Sequence, residues 1–207
     1  MSLPPLPFGW FCNGDIMAYR ALAKALPQQA KLVEVGCFQG RSICSIADII
    51  LVKDLKVTLV DDFLDHAAQP GYKGAETRDK CYANLRQFNI YDKVVVAEWP
   101  SVKVAAELAD ASLDMVFLDA DHAYESVKAD IAAWLPKVKP GGLMAGHDYD
   151  GDTPYPKAHH ALYCTNTHVR QHPGVKQAVD EAFPSAKQLP ESFIWMASVG
   201  ATGPIAH

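Results

Sequence analysis

Strand-like and helix-like segments alternate along most of this chain, and that order narrows its fold more than any other feature. Apolar residues Ile16, Tyr19, Leu22, Ala23 and Leu26 fall at helical spacing over 15–26, and Pro27 ends the run. Strands are expected at 31–36, 56–61, 94–97, 112–119, 143–147 and 193–199. Helices are expected over 40–52, 76–88, 102–109, 124–135 and 174–183, and Pro140-Gly141-Gly142 is expected to turn the chain into the fifth strand. The strands are apolar without strict alternation, as in a parallel sheet buried on both faces, so the fold class is doubly wound α/β. Such sheets bind ligands beyond the carboxyl ends of their strands, so the polar residues at those ends are the candidates for function.

At 207 residues the chain suits one domain with a sizeable core. Charged residues make up 21% and the formal net charge is −5, without a block of like charges. That balance argues against nucleic acid or an anionic membrane as the main partner. No apolar run reaches transmembrane length, and residues 1–10 lack the basic start and apolar core of a signal peptide. The five cysteines are scattered without a C-x-x-C, which suits a reducing, cytoplasmic setting. Residues 1–14 form a separate arm whose Leu3-Pro4-Pro5-Leu6-Pro7 suits an extended segment packed on the body or on a second copy, an arrangement compatible with a homodimer.

The first five expected strands each end in an unusual polar cluster. The first strand runs into Glu34, Gly36 and Gly40, whose glycines let the backbone turn sharply beside a ligand, and the helix opening near Arg41 and Ser42 offers unpaired N–H groups. Asp61-Asp62 closes the second, where an acid can accept bonds from both hydroxyls of a ribose. Glu98-Trp99-Pro100-Ser101 follows the third, Asp119-Ala120-Asp121-His122 the fourth, and His147-Asp148-Tyr149 the fifth.

Val-Glu-Val-Gly-x-x-x-Gly, then Val-Asp, then Leu-Asp-Ala-Asp-His-x-Tyr-Glu, then Lys-Pro-Gly-Gly-Leu-x-x-Gly-His-Asp-Tyr occur here in one order. Together they resemble the class I methyltransferases that use S-adenosylmethionine, and within them the small catechol- and sugar-O-methyltransferase-like branch with its macrolide-sugar and cephalosporin-pathway relatives. The resemblance runs over about 15–199. It implies a Rossmann-like doubly wound, mostly parallel seven-stranded sheet with helices on both faces, and methyl transfer to a hydroxyl of a small-molecule substrate (a sugar, catechol or natural product). It further implies that the turn of Glu34, Gly36, Gly40, Arg41 and Ser42 holds the methionine part of the cofactor. Asp61 would take the ribose hydroxyls, Ser101 and Trp99 would sit beside the adenine, and Asp119 would close the site.

In metal-dependent relatives the positions of Asp119, His147 and Asp148 hold a divalent cation, usually magnesium, which helps a bound hydroxyl lose its proton. His147 stands where those relatives carry an acid. Imidazole is a poor magnesium ligand and would favour manganese, iron or zinc, or no metal at all. His122, three residues after Asp119, matches the general base of these enzymes, and its ordinary pKa of about 6.5 suits proton removal near neutral pH. Asp121 is expected to cap the helix that follows, and Asp62 to point to the opposite face from Asp61.

Residues 150–172 form a long irregular insertion after the fifth strand, placed to cover the site as a lid, with Tyr149, Tyr155 and Tyr163 offering flat surfaces. His160, Cys164, His168 and His172 are spaced by four, a zinc-like pattern on a helix, but Thr165-Asn166-Thr167 and the nearby Gly151, Pro154 and Pro156 favour a loop. Two other activities share this kind of sheet. One is a nicotinamide-dependent oxidoreductase, although the glycines run G-x-x-x-G rather than G-x-G-x-x-G. The other is a cofactor binder without transferase activity, and transfer to nitrogen instead of oxygen is a third variant.

Overall fold

The computed structural model describes residues 4–65, 71–150 and 172–200. In chain order the elements are α1 (Asn13–Ala25), β1 (Lys31–Val35), α2 (Arg41–Ser45), α3 (Ala47–Lys53), β2 (Lys56–Val60), α4 (Gly74–Gln87) and β3 (Val94–Ala97). They continue with α5 (Ser101–Ala106), β4 (Leu113–Leu118), α6 (Tyr124–Trp134), β5 (Val138–Gly146), α7 (Pro173–Ala182), β6 (Lys187–Gln188) and β7 (Trp195–Ser198).

The strands form one seven-stranded sheet in the order β3-β2-β1-β4-β5-β7-β6. The first five are parallel, and β7 runs antiparallel to both β5 and β6. Strand order reverses between β1 and β4, the switch point at which open α/β sheets leave a crevice.

Neighbouring residues of a strand face opposite sides, and here both sides are buried. Leu32 packs in the layer built from Tyr19 and Leu22 of α1, Ile43 of α2, Ile50 of α3 and Leu85 of α4. Val33 and Val35 pack in the other, with Val127, Ile131 and Trp134 of α6 and Val175 and Val179 of α7. That two-sided burial is why the strands read as apolar runs.

Two expected elements differ and one strand is additional. The helix over 40–52 is two helices, because Ile46 leaves helical geometry (φ −111°, ψ 14°) and the Ser45 hydroxyl bonds back to the Ser42 carbonyl. Pro140-Gly141-Gly142 lies inside β5 rather than before it. Gly141 (φ 82°) makes a bulge there, with a register shift against β4, and its N–H bonds to Val199 O at 2.8 Å. The two-residue β6 adds the seventh strand. Among the described residues no helix is long and apolar enough to cross a membrane.

The arm is docked onto the body. Arg41 donates from Nε to Phe11 O (2.8 Å) and from Nη1 to Pro7 O (2.6 Å), while Phe11 is buried in the core against Tyr19 and Phe117.

Candidate active site

The backbone ladder of the sheet continues one step past four strands, and this carries the polar residues to a common edge. Gly36 N bonds to Val60 O, Asp61 N to Ala97 O, Asp119 N to Val35 O and His147 N to Leu118 O, at 2.8–3.2 Å. Gly36 is at φ 82°, and a Cβ there would lie 2.1 Å from Asp119 O, so only glycine lets the turn after β1 pass the end of β4. Phe38 (φ 47°) and Gly40 (φ 80°) complete a sharply wound turn.

Asp61 clamps this turn. Its Oδ2 accepts from Cys37 N (3.1 Å) and Phe38 N (2.9 Å), and its Oδ1 accepts from Phe63 N (2.9 Å). Burial pushes its pKa up despite those bonds. Oδ1 accepts one bond from the protein and so retains acceptor capacity for a ribose hydroxyl. Asp62 instead accepts from Leu64 N at 3.1 Å.

Glu34 is fully buried under the turn and accepts from the Ser42 hydroxyl (2.5 Å) and the Tyr19 hydroxyl (2.7 Å). Burial, set against both hydrogen bonds, raises its pKa to about 8. Glu34 and Ser42 therefore support the turn from below. The side chain of Arg41 is committed to the arm's carbonyls. Ser101 is engaged by Trp134, whose Nε1–H donates to its hydroxyl at 2.8 Å, and also bonds Asp130. Trp99 is 57% exposed, with the Lys103 ammonium 3.8 Å from its ring centre.

The densest cluster follows β4 and β5. His122 Nε2 lies 2.8 Å from Asp148 Oδ2. His147 is buried, with Nδ1 3.3 Å from Asp148 Oδ1 and 3.6 Å from Asp119 Oδ1. Its Nε2 is 3.1 Å from Asp15 Oδ2, close enough for charge pairing although not aligned as a hydrogen bond. Phe11 stacks on the imidazole at 4.7 Å. Burial alone would lower the pKa of His147, but Asp148, Asp15 and Asp119 together hold it well above the ordinary value. Burial likewise opposes protonation of His122, and Asp148 overcomes it, so its pKa is raised. Asp148, at φ 59°, is pushed up by burial and pulled well below the usual carboxylate range by His147 and His122. A small pocket, with room for about one water molecule, opens beside Asp119, His122, Asp130, His147 and Asp148.

Asp119, His147 and Asp148 do come together, with ligand atoms within 4.8 Å of one another. Magnesium does not fit this set, because it takes oxygen donors and here an imidazole with a carboxylate at each nitrogen fills the middle. Asp121 ties the entry to α6, accepting from His122 N, Ala123 N and the Ser126 hydroxyl, but it does not cap the helix as expected, because the N-cap position falls to Ala123 and no helix N–H reaches the carboxylate.

Sequence reasoning missed Asp15, Tyr19 and Phe11. Asp15 is fully buried and accepts from Cys12 N and Phe193 N while it faces His147. Asp15 and Cys12 form a capping box at the start of α1, the one sequence signal that marks this acid as tied in. His172 reaches the site through Asp148 (Nδ1 to Oδ1, 3.3 Å) and Asp150 (Nδ1 to Oδ2, 3.2 Å). The rest of the expected lid, including Tyr155, His160, Tyr163, Cys164 and His168, lies outside the described residues. The four described cysteines Cys12, Cys37, Cys44 and Cys81 are all buried.

A methyltransferase-domain family model matches residues 33–149, more than half of the chain and all five strand-end clusters. Among curated proteins, the uncharacterized protein y4gI of Sinorhizobium fredii (strain NBRC 101917 / NGR234) is 26% identical over 122 residues, and that match spans 57% of this chain but 13% of y4gI. Among solved structures, cofactor-bound Rv0187 from MTB superposes with a TM-score of 0.61 at 18% identity, covering 96% of this chain and 84% of that one. The O-methyltransferase TomG from Streptomyces achromogenes, in complex with SAM, gives 0.61 at 14% identity over the same shares. CalS11, a TDP-rhamnose 3'-O-methyltransferase, gives 0.56 at 18% identity, covering 90% and 79%. These likenesses agree on the fold, and the family match sets the dinucleotide alternative aside: the chain belongs to the methyltransferase-domain family, with the fold of the class I S-adenosylmethionine-dependent enzymes.

Proposed function

We propose that this chain transfers a methyl group from S-adenosylmethionine to a hydroxyl of a small molecule, with His122 as general base. The observation that carries this reading is the 2.8 Å pairing of His122 Nε2 with Asp148 Oδ2 at the edge of the pocket between β4 and β5. Asp148 accepts the Nε2 proton, which leaves the lone pair of Nδ1 as the basic site.

S-adenosylmethionine supplies the activated methyl group. The turn around Gly36 and the spare acceptor capacity of Asp61 suit the cofactor's amino acid and ribose ends. His122 Nδ1 takes the proton of the acceptor hydroxyl as its oxygen attacks the methyl carbon. Bound at the turn, the cofactor would give its methyl group to that oxygen and leave as S-adenosylhomocysteine, with a methyl ether as product. The resulting imidazolium is stabilised by Asp148. No step passes through magnesium. His147 instead acts as a buried cationic spacer that keeps Asp119 and Asp148 apart.

Purified protein, S-adenosylmethionine and a panel of sugars, catechols and phenols test the reading by mass spectrometry. Addition of one methyl group to an oxygen of one panel member is the expected result. Loss of a general base costs about 10²–10⁴-fold in rate, so His122→Ala should lower kcat by that much while leaving cofactor affinity unchanged. Methylation of nitrogen, or an unaltered rate in His122→Ala, overturns the assignment.

A further inference from the structure

The same corner of the molecule holds a second set of ligands, set outward from Asp119. One nitrogen from each of His122 and His172 and one carboxylate oxygen of Asp148 all lie within 4.8 Å of one another. His122 Nε2 is 2.8 Å from Asp148 Oδ2, His172 Nδ1 is 3.3 Å from Asp148 Oδ1, and the two imidazole rings are 4.4 Å apart. Three chain segments supply them: the loop after β4, the end of β5 and the residue that opens α7. Asp150 steadies the third, accepting the His172 backbone N–H at 2.8 Å and standing 3.2 Å from Nδ1.

Two imidazoles and a carboxylate are the donors of zinc and of neighbouring first-row transition metals, not of magnesium or calcium. Tetrahedral zinc has ligand atoms about 2.0–2.2 Å from the metal. The two histidine nitrogens approach different oxygens of Asp148, at 2.8 and 3.3 Å, so an ion would be held between them by both carboxylate oxygens, or by one after the carboxylate rotates. All three side chains keep some exposure, His122 the most at 36%, so an ion can enter from solvent.

We propose that His122, Asp148 and His172 form a binding site for a transition-metal cation of the zinc type, and that its occupancy switches the enzyme off. A metal on Nε2 of His122 displaces the proton there, the neutral ring then carries its proton on Nδ1, and the lone pair that would accept the substrate proton is lost. The binding claim stands on the ligand geometry alone. The inhibition claim rests on the general-base reading above.

The full chain, stripped of metal, is titrated with zinc and separately with magnesium by calorimetry, and with cobalt by visible absorption. Wild type is expected to bind one zinc per chain, at least about a hundredfold tighter than magnesium, and to give cobalt bands from imidazole and carboxylate ligation. His172→Ala, His122→Ala and Asp148→Asn should each weaken zinc by about tenfold or more and abolish those bands. His172→Gln is the fallback where the alanine variant does not fold. Zinc that binds all three variants as tightly as wild type is held by other ligands, and it overturns the site, as does a wild type that binds none. In the methyl-transfer assay zinc should stop wild type and leave His172→Ala at its own metal-free rate. Tight binding without a fall in rate keeps the site and overturns the inhibition, so the two claims fail separately.

Discussion

Replacing Glu34 by glutamine tests how the cofactor turn is built. The carboxyl is fully buried between the Ser42 and Tyr19 hydroxyls, and its pKa is raised to about 8 from an ordinary 4.5. The folded state therefore keeps a proton that the unfolded chain gives up above pH 4.5. Stability from this group is complete below pH 4.5, falls as pH rises, and levels off above about 8. At 1.36 kcal/mol per pKa unit the whole gap corresponds to about 5 kcal/mol, and the part between pH 6 and pH 9 to about 3 kcal/mol. Glutamine is a neutral mimic of the protonated acid, so Glu34→Gln should cost at most about 1 kcal/mol at pH 6. By pH 9 it should be about 3 kcal/mol better off relative to wild type than at pH 6. Urea unfolding of both proteins at the two pH values measures the difference, and titrations common to both cancel. A wild-type-to-variant gap that does not move with pH, or that widens against the variant at pH 9, would mean that Glu34 is ionised in the fold, and the account of the turn would fail.

Two further predictions follow from close packing. Gly36→Ala puts a Cβ 2.1 Å from Asp119 O at φ 82°, so the turn or the end of β4 must move. A loss of more than about 3 kcal/mol in unfolding free energy, together with loss of cofactor affinity, is expected. Phe11→Ala removes the ring stacked 4.7 Å from His147 and should cost about 3–5 kcal/mol, with no more than the ordinary destabilisation at Phe8, which is 55% exposed; equal costs at the two positions, measured by denaturant titration, would contradict the docked arm.

Much of the fold and part of the site were legible in the sequence, for reasons that particular residues make plain. Leu32 and Val33 are both apolar because both faces of β1 are covered, so the run itself announced a parallel sheet. Asp61, Asp119 and His147 each follow directly after a strand, and a residue one ladder step past a strand end has little choice of place. His122 and Asp148 meet for the same reason, at the ends of neighbouring strands, although their pairing was not expected from sequence. Asp15 was illegible because its helix crosses to the end of β5, and nothing local marks a reach across the fold to His147 and Phe193. Arg41 was expected to serve through the N–H groups of its helix start, and nothing in that pattern named a partner for its guanidinium. The carbonyls of Pro7 and Phe11 claim it, and the path of an arm cannot be read from composition. Ser101 was expected beside the adenine; that the indole of Trp134 also reaches its hydroxyl across the layer of helices has no local signal in the sequence. The four-residue spacing that ends at His172 was read as a histidine-rich loop over a helical metal face, and it did not foretell that His172 meets Asp148 by opening α7 beside the end of β5.

Calorimetric titration of the purified chain with S-adenosylmethionine and S-adenosylhomocysteine, with and without chelator and beside an Asp61→Ala control, tests the central claim most directly. Micromolar binding of both ligands, indifferent to chelator and lost in Asp61→Ala, is the result the account predicts. Absence of binding by wild type under every metal condition, or full affinity in Asp61→Ala, would contradict it.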